Sequence, residues 1–269
     1  MPTIRTRAGL ELHYESDDFT DPWTTPETVL LVHGLAADHR EWTAWVPRLA
    51  REYRVVRPDL LGFGRSAQPP EGYEWSLSGH ARDLCDLLDH LGVGRVHLGG
   101  TRIGGSLAMR FAAEYPERVK RLVVVGGPAK LGEGQADPQD WLRLIESEGV
   151  EAWARATMDK RLGDVNPAMR EWWIQLMGRT PKHVLLGMLK HVAAMDLTEL
   201  LPRIKAPTLM ITSDGSALAP LPTVKRWAAL IPNAELLVLS GGSYNVTVSR
   251  AEECAAAALD FLRRPAGVN

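Results

Sequence analysis

The chain has little cysteine, and it has no histidine after His191. Two cysteines, Cys85 and Cys254, occur in 269 residues, both in helix-period segments and neither in CxxC or Cys/His spacing. A disulfide framework or a structural zinc site therefore lacks its ligands, and two buried free thiols are expected. Long apolar runs are missing too: no stretch approaches the roughly 20 apolar residues of a membrane span. The first 18 residues, MPTIRTRAGLELHYESDD, hold no apolar core of the signal-peptide kind. A cytoplasmic protein with no membrane partner is expected. Nor is there an excess of one charge: 31 Lys and Arg face 33 Asp and Glu, for a net charge of −2, and the basic residues are scattered. That distribution argues against nucleic acid as a partner.

What is present is enough to build a large core, with 45% apolar and 24% charged residues. Short runs of Val, Ile and Leu alternate with longer helix-period segments, the pattern of parallel strands covered by helices on both faces. Strands are predicted at 28–34, 53–59, 95–101, 121–127, 206–214 and 234–242, and an antiparallel hairpin over 3–16. Helices are predicted at 41–52, 76–92, 103–115, 222–232 and 248–264. From about 130 to 202 the strand signal gives way to four or so amphipathic helices carrying Trp141, Trp153, Trp172 and Trp173. The expected fold class is α/β, a doubly wound and mostly parallel sheet with a helical cap inserted after the sixth strand. The expected organisation is a core of 1–129 and 203–269 with a cap over 130–202. Such a cap would roof an apolar pocket at the carboxyl ends of the strands. The few residues after Arg264 are expected to be loose.

Four segments carry a resemblance: LLVHGLAADHREW (30–42), VVRPDLLGFGRS (55–66), LGGTRIGGSLAMRFAAEYPERV (98–119) and PRIKAPTLMITSDGSALAP (202–220). In this order they resemble the α/β-hydrolase family, and in particular its small capped esterase and 3-oxoadipate enol-lactonase-like branch. The resemblance spans nearly the whole chain. It implies a G-x-S-x-G nucleophile turn, which here reads Gly100-Thr101-Arg102-Ile103-Gly104. A guanidinium offers no usable lone pair and stays protonated, so Arg102 can neither attack a carbonyl nor act as a base. Counting back four residues from Pro220 puts Ser216 in the place of the family's acid, with Asp214 two residues off. Alignment of 250–254 with the family's segment after the last strand puts Tyr244 in the place of its histidine.

The resemblance therefore implies substitution at all three triad positions. It further implies an oxyanion site built from the backbone N–H groups of Leu35 and Ile103, the latter at a helix N-terminus. Arg102 added to that site makes an anion binder, or else it pairs with a pocket carboxylate such as Asp38. Tyr244 is expected to serve as an acid or base. Asp38, His39 and Thr101 are candidate lining residues. At most one ring of the Trp172–Trp173 pair can reach a ligand, and Trp172 is the candidate. His33 and Asp59 are expected to brace loops.

The expected activity is that of a cofactor-independent, non-hydrolytic enzyme of lyase, isomerase or cyclase type. Its substrate would be an apolar small molecule that is anionic or enolisable, and the enzyme a monomer or homodimer. Two alternatives stand beside it: an inactive pseudo-hydrolase that binds a small molecule or acts as a scaffold, and an esterase or lactonase with an unorthodox nucleophile.

Overall fold

The computed structural model of the chain describes residues 2–265. Residues 266–269, most of the tail expected to be loose, lie outside the described residues. Among the described residues there are eight strands: β1 (Thr3–Arg5), β2 (Glu11–Asp17), β3 (Thr28–Val32), β4 (Arg54–Pro58), β5 (Val96–Thr101), β6 (Val119–Val125), β7 (Thr208–Ser213) and β8 (Ala234–Leu239). They form one sheet in the order β1-β2-β4-β3-β5-β6-β7-β8. The hairpin β1–β2 and the β2–β4 pair are antiparallel, and every other pairing is parallel.

Alternation along each strand explains the two-sided core, because successive side chains point to opposite faces. Leu30, Val32, Leu122, Val124 and Met210 pack on one face, while Val29, Leu31, Val123, Val125, Leu209 and Ile211 pack on the other. The first face is covered by α2 (Leu77–His90), α3 (Ile103–Glu114) and α8 (Leu221–Leu230). The second is covered by α1 (Val46–Leu49) and α10 (Ala251–Leu262), with α9 (Val246–Ser249) leading into it. This is the doubly wound α/β sheet the periodicity predicts. Between β6, the sixth strand, and β7 lie α4 (Pro138–Glu148), α5 (Val150–Leu162), α6 (Pro167–Gly178) and α7 (Lys182–Ala193). Both cysteines are buried free thiols, and burial pushes Cys85 up to about 11 and Cys254 to about 12. Among the described residues no helix is long and apolar enough to cross a membrane.

Two predicted helices are shorter than expected. The 41–52 segment forms a 3-10 turn over His39–Trp42, capped by the Asp38 side chain, and then the single turn α1. Pro47 lacks the N–H that would bond to Thr43 and its ring crowds that carbonyl, so one helix cannot run through it. The 248–264 segment breaks at Arg250, whose φ of −130° and ψ of 40° separate α9 from α10.

The turn from β5 into α3 demands close backbone approach. A Cβ on Gly104 would run into the carbonyl oxygens of Val32 and His33, whereas one on Gly94 would meet nothing within 4 Å. Gly104→Ala is therefore expected to cost about 1–3 kcal/mol through overpacking. Gly94→Ala is expected to lie within about 1 kcal/mol of wild type. Urea unfolding midpoints of the two variants check the contrast.

Candidate functional site

Arg102 sits at the tip of the β5–α3 turn with φ 51° and ψ −121°, and Ala36 is the other non-glycine residue with positive φ among the described residues. Such a conformation costs a bulky residue about 1–3 kcal/mol. The side chain then folds back over the loop after β3, so that a Cβ on Gly34 would lie 2.6 Å from the Arg102 Cζ. Glycine at 34 is what leaves room for the guanidinium. Arg102 is 3% exposed, and its Nη2 donates to Oε1 of Glu41. Glu41 also accepts from the Gly34 N–H at 2.7 Å and from Asn245 Nδ2 at 3.0 Å. The expected carboxylate partner was Asp38; the structure pairs Asp38 with Arg40 instead, at 2.6 Å. Arg102 Nε has no partner among the described residues.

Around Arg102 the space is nearly filled. Leu35, Ile103, Leu131, Trp141, Trp153, Arg161, Leu218 and Tyr244 enclose with it a cavity of about 20 Å³. That volume holds about one water, not a substrate, so the expected apolar pocket of ligand size is not open here. Leu35, Ile103 and Tyr244 do meet Arg102, as expected. The second guanidinium, Arg161 of α5, is 2% exposed. It lies 5.1 Å from the Trp153 ring and 5.2 Å from the Tyr244 ring. Burial pulls its pKa down to about 10, which still leaves it cationic at neutral pH. The Tyr244 hydroxyl is buried without a partner among the described residues.

Three expected site residues lie elsewhere. Ser216 lines a narrow gap beside Gly126 and Trp227. Thr101 is fully buried and its hydroxyl meets that of Thr247 at 2.6 Å. Trp172 is 41% exposed, with the Arg40 Cζ 5.3 Å from its ring, while Trp173 is buried. Glu41, Arg161 and Asn245 were missed by the sequence reading.

A second, larger cavity of about 280 Å³ opens at the carboxyl ends of β3 and β4. Ala36–Arg40, Gly62–Arg65, Gln68, Leu176 and Arg179–Pro181 line it. At its wall His39 is 7% exposed, and its Nδ1 lies 2.8 Å from Oδ1 of the fully buried Asp59. Asp59 also accepts from the backbone N–H groups of His39 and Arg65. Burial alone would raise its pKa, but the His39 hydrogen bonds and the neighbouring His33 outweigh that and hold it at about 2. Nothing among the described residues hydrogen-bonds His39 Nε2. Asp59 thus ties the loop after β3 to the loop after β4. His33 does brace one: its Nδ1 donates to Gly34 O at 2.8 Å, its Nε2 accepts from Leu60 N–H at 2.9 Å, and burial lowers its pKa.

Two groups near His39 bring potential metal-ligand atoms within 4.8 Å of one another: His13, Glu15 and His39, and Asp38, His39 and Asp59. Their donors are already engaged, Glu15 by His13 and Arg65, Asp38 by Arg40, and Asp59 by His39.

Removing one member of a buried ion pair strands the other charge, at a cost of about 3–5 kcal/mol. Arg102→Ala is expected to lose about that much stability, and the double variant Arg102→Met, Glu41→Leu to recover most of it; denaturant midpoints at constant slope test both. Because the Asp59 pKa falls from an ordinary 3.8 to about 2, its charged form contributes about 2 kcal/mol. That contribution is complete above pH 4 and disappears as pH falls through 2. The stability gap between wild type and Asp59→Asn, followed by urea unfolding from pH 6 down to pH 2, is expected to narrow accordingly.

Comparison with known proteins places this geometry. The alpha/beta hydrolase fold model matches residues 27–245. A protein of Stutzerimonas stutzeri named "Putative carbamate hydrolase RutD" is 29% identical over 264 residues, covering 95% of this chain and 98% of its own. A thermophilic esterase from Thermogutta terrifontis superposes with a TM-score of 0.85 at 28% identity, covering 97% of both chains. An enol-lactonase from Burkholderia xenovorans superposes with a TM-score of 0.89 at 24% identity over 98% of this chain and all of its own, a likeness of fold. These relatives are named as hydrolases, and that overturns the expectation of a non-hydrolytic lyase, isomerase or cyclase. The expectation failed because the chemistry Arg102 cannot perform does not specify another reaction. The chain belongs to the alpha/beta hydrolase fold family.

Proposed function

We propose that the protein hydrolyses a small ester, lactone or carbamate with water as the nucleophile, in the cavity beside His39. The observation that carries this reading is the His39–Asp59 pair at the wall of a 280 Å³ cavity. Open α/β sheets bind ligands at the carboxyl ends of their strands, and this cavity lies there, under the helices of 130–202 taken as a cap. The hydrolase names of the relatives supply the reaction class. On this reading the triad positions are Arg102, Ser216 and Tyr244, and the β5–α3 turn serves as an anchor through Glu41 rather than as a source of nucleophile.

The geometry suits general-base catalysis. The Asp59 carboxylate accepts the Nδ1–H of His39, fixes the tautomer and steadies the imidazolium as it forms. The Nε2 lone pair takes a proton from water, and the resulting hydroxide adds to the carbonyl carbon. Collapse of the tetrahedral species breaks the bond to the leaving oxygen or nitrogen, which takes the proton back from Nε2. One water is consumed, and an acid and an alcohol or amine are released.

His39→Gln is expected to lower kcat for p-nitrophenyl acetate at least a hundredfold while leaving the circular dichroism spectrum intact. Fluorophosphonate probes directed at serine are expected not to label the wild type. Unchanged turnover in His39→Gln, or stoichiometric labelling, would sink the proposal.

A further inference from the structure

The lining of the same cavity has a charge pattern that the hydrolytic reading does not use. Arg40, Arg65 and Arg179 line it, against one carboxylate, Asp38. Asp38 is spent on Arg40, whose Nε donates to Oδ1 at 3.0 Å and whose Nη2 donates to Oδ2 at 2.6 Å. That bidentate grip, with the Trp172 ring 5.3 Å away on the guanidinium face, fixes Arg40 in place. Its Nη1 has no partner among the described residues. Arg65 is held by Glu15 at 3.1 Å. Arg179, the residue that ends α6, is exposed and has no carboxylate partner among the described residues.

The wall thus offers one guanidinium already oriented and one without an acidic partner among the described residues, both lining the same concave space. A fixed guanidinium loses little entropy on forming its fork of hydrogen bonds.

We infer that the substrate carries a carboxylate, held by Arg179 and the free Nη1 edge of Arg40 while its scissile carbonyl meets His39. This rests on the hydrolytic reading of the cavity for the second half alone; the anion site stands or falls by binding.

The probes are succinate, its neutral analogue succinamide, and the dimethyl and monomethyl esters of succinate. In calorimetric titration of the wild type, succinate is expected to bind with saturation and succinamide not to. Arg179→Gln and Arg40→Gln are each expected to weaken succinate at least tenfold. The kcat/KM ratio of monomethyl to dimethyl ester is expected to exceed unity and to fall at least tenfold in Arg179→Gln. His39-dependent cleavage of the dimethyl ester without succinate binding would overturn the anion site and spare the hydrolytic reading. Arg179-dependent succinate binding without cleavage of either ester would do the reverse. Succinate binding that Arg179→Gln leaves unchanged would overturn the assignment outright.

Discussion

The guanidinium of Arg102 and the carboxylate of Glu41 share a hydrogen bond in a place closed off from bulk water, and the loops after β3, β5 and β8 are arranged around it. Glu41 gathers three donors from three parts of the chain: the loop after β3 through Gly34, the β5–α3 turn through Arg102, and the segment after β8 through Asn245. Two charges withdrawn from water gain little net stability over a well-packed apolar pair, but each becomes costly once the other is gone. The pair therefore ties the three loops to one arrangement more than it adds to overall stability, and it fills the space above the turn that a ligand would otherwise use.

Chemistry has to be sought where space and an available proton acceptor coincide. The crevice over the β5–α3 turn has neither, since its cavity holds about one water and its polar side chains are two guanidiniums, a carboxylate locked by three donors and a phenol without a partner among the described residues. One loop away, the chain segments after β3 and β4 place the His39 imidazole at the wall of a roomier cavity that arginines also line. The hydrogen bonds that lower the Asp59 pKa are the same ones that orient His39, so the loop's stability and the placement of its imidazole have a single source.

The sheet was legible in the sequence because its apolar runs are short and continuous, as two-sided burial requires, and because Gly100 to Gly104 mark the turn. Helix ends were less so: Pro47 signals a break by its missing N–H, but nothing local at Arg250 announces its backbone angles. For the site, Arg102, Tyr244, Leu35 and Ile103 could be brought together by resemblance alone. Glu41 could not, because a glutamate within HREW reads as one more solvated charge until the fold buries it against Arg102. Arg161 was hidden likewise, in a helix of low amphipathicity far along the chain. Nothing local says that Glu41 rather than Asp38 meets Arg102, since the fold buries both carboxylates.

The bare α-carbon of Gly34, with the Arg102 guanidinium lying directly over it, constrains which neighbouring sequences are reachable. A side chain at 34 is barred while the arginine stays, and a small hydroxyl residue at 102 would leave the glutamate's charge stranded. Neutralisation at 41 alone strands the arginine in the same way, so a conventional nucleophile at 102 is reached only by changing both positions together or in a background with stability to spare.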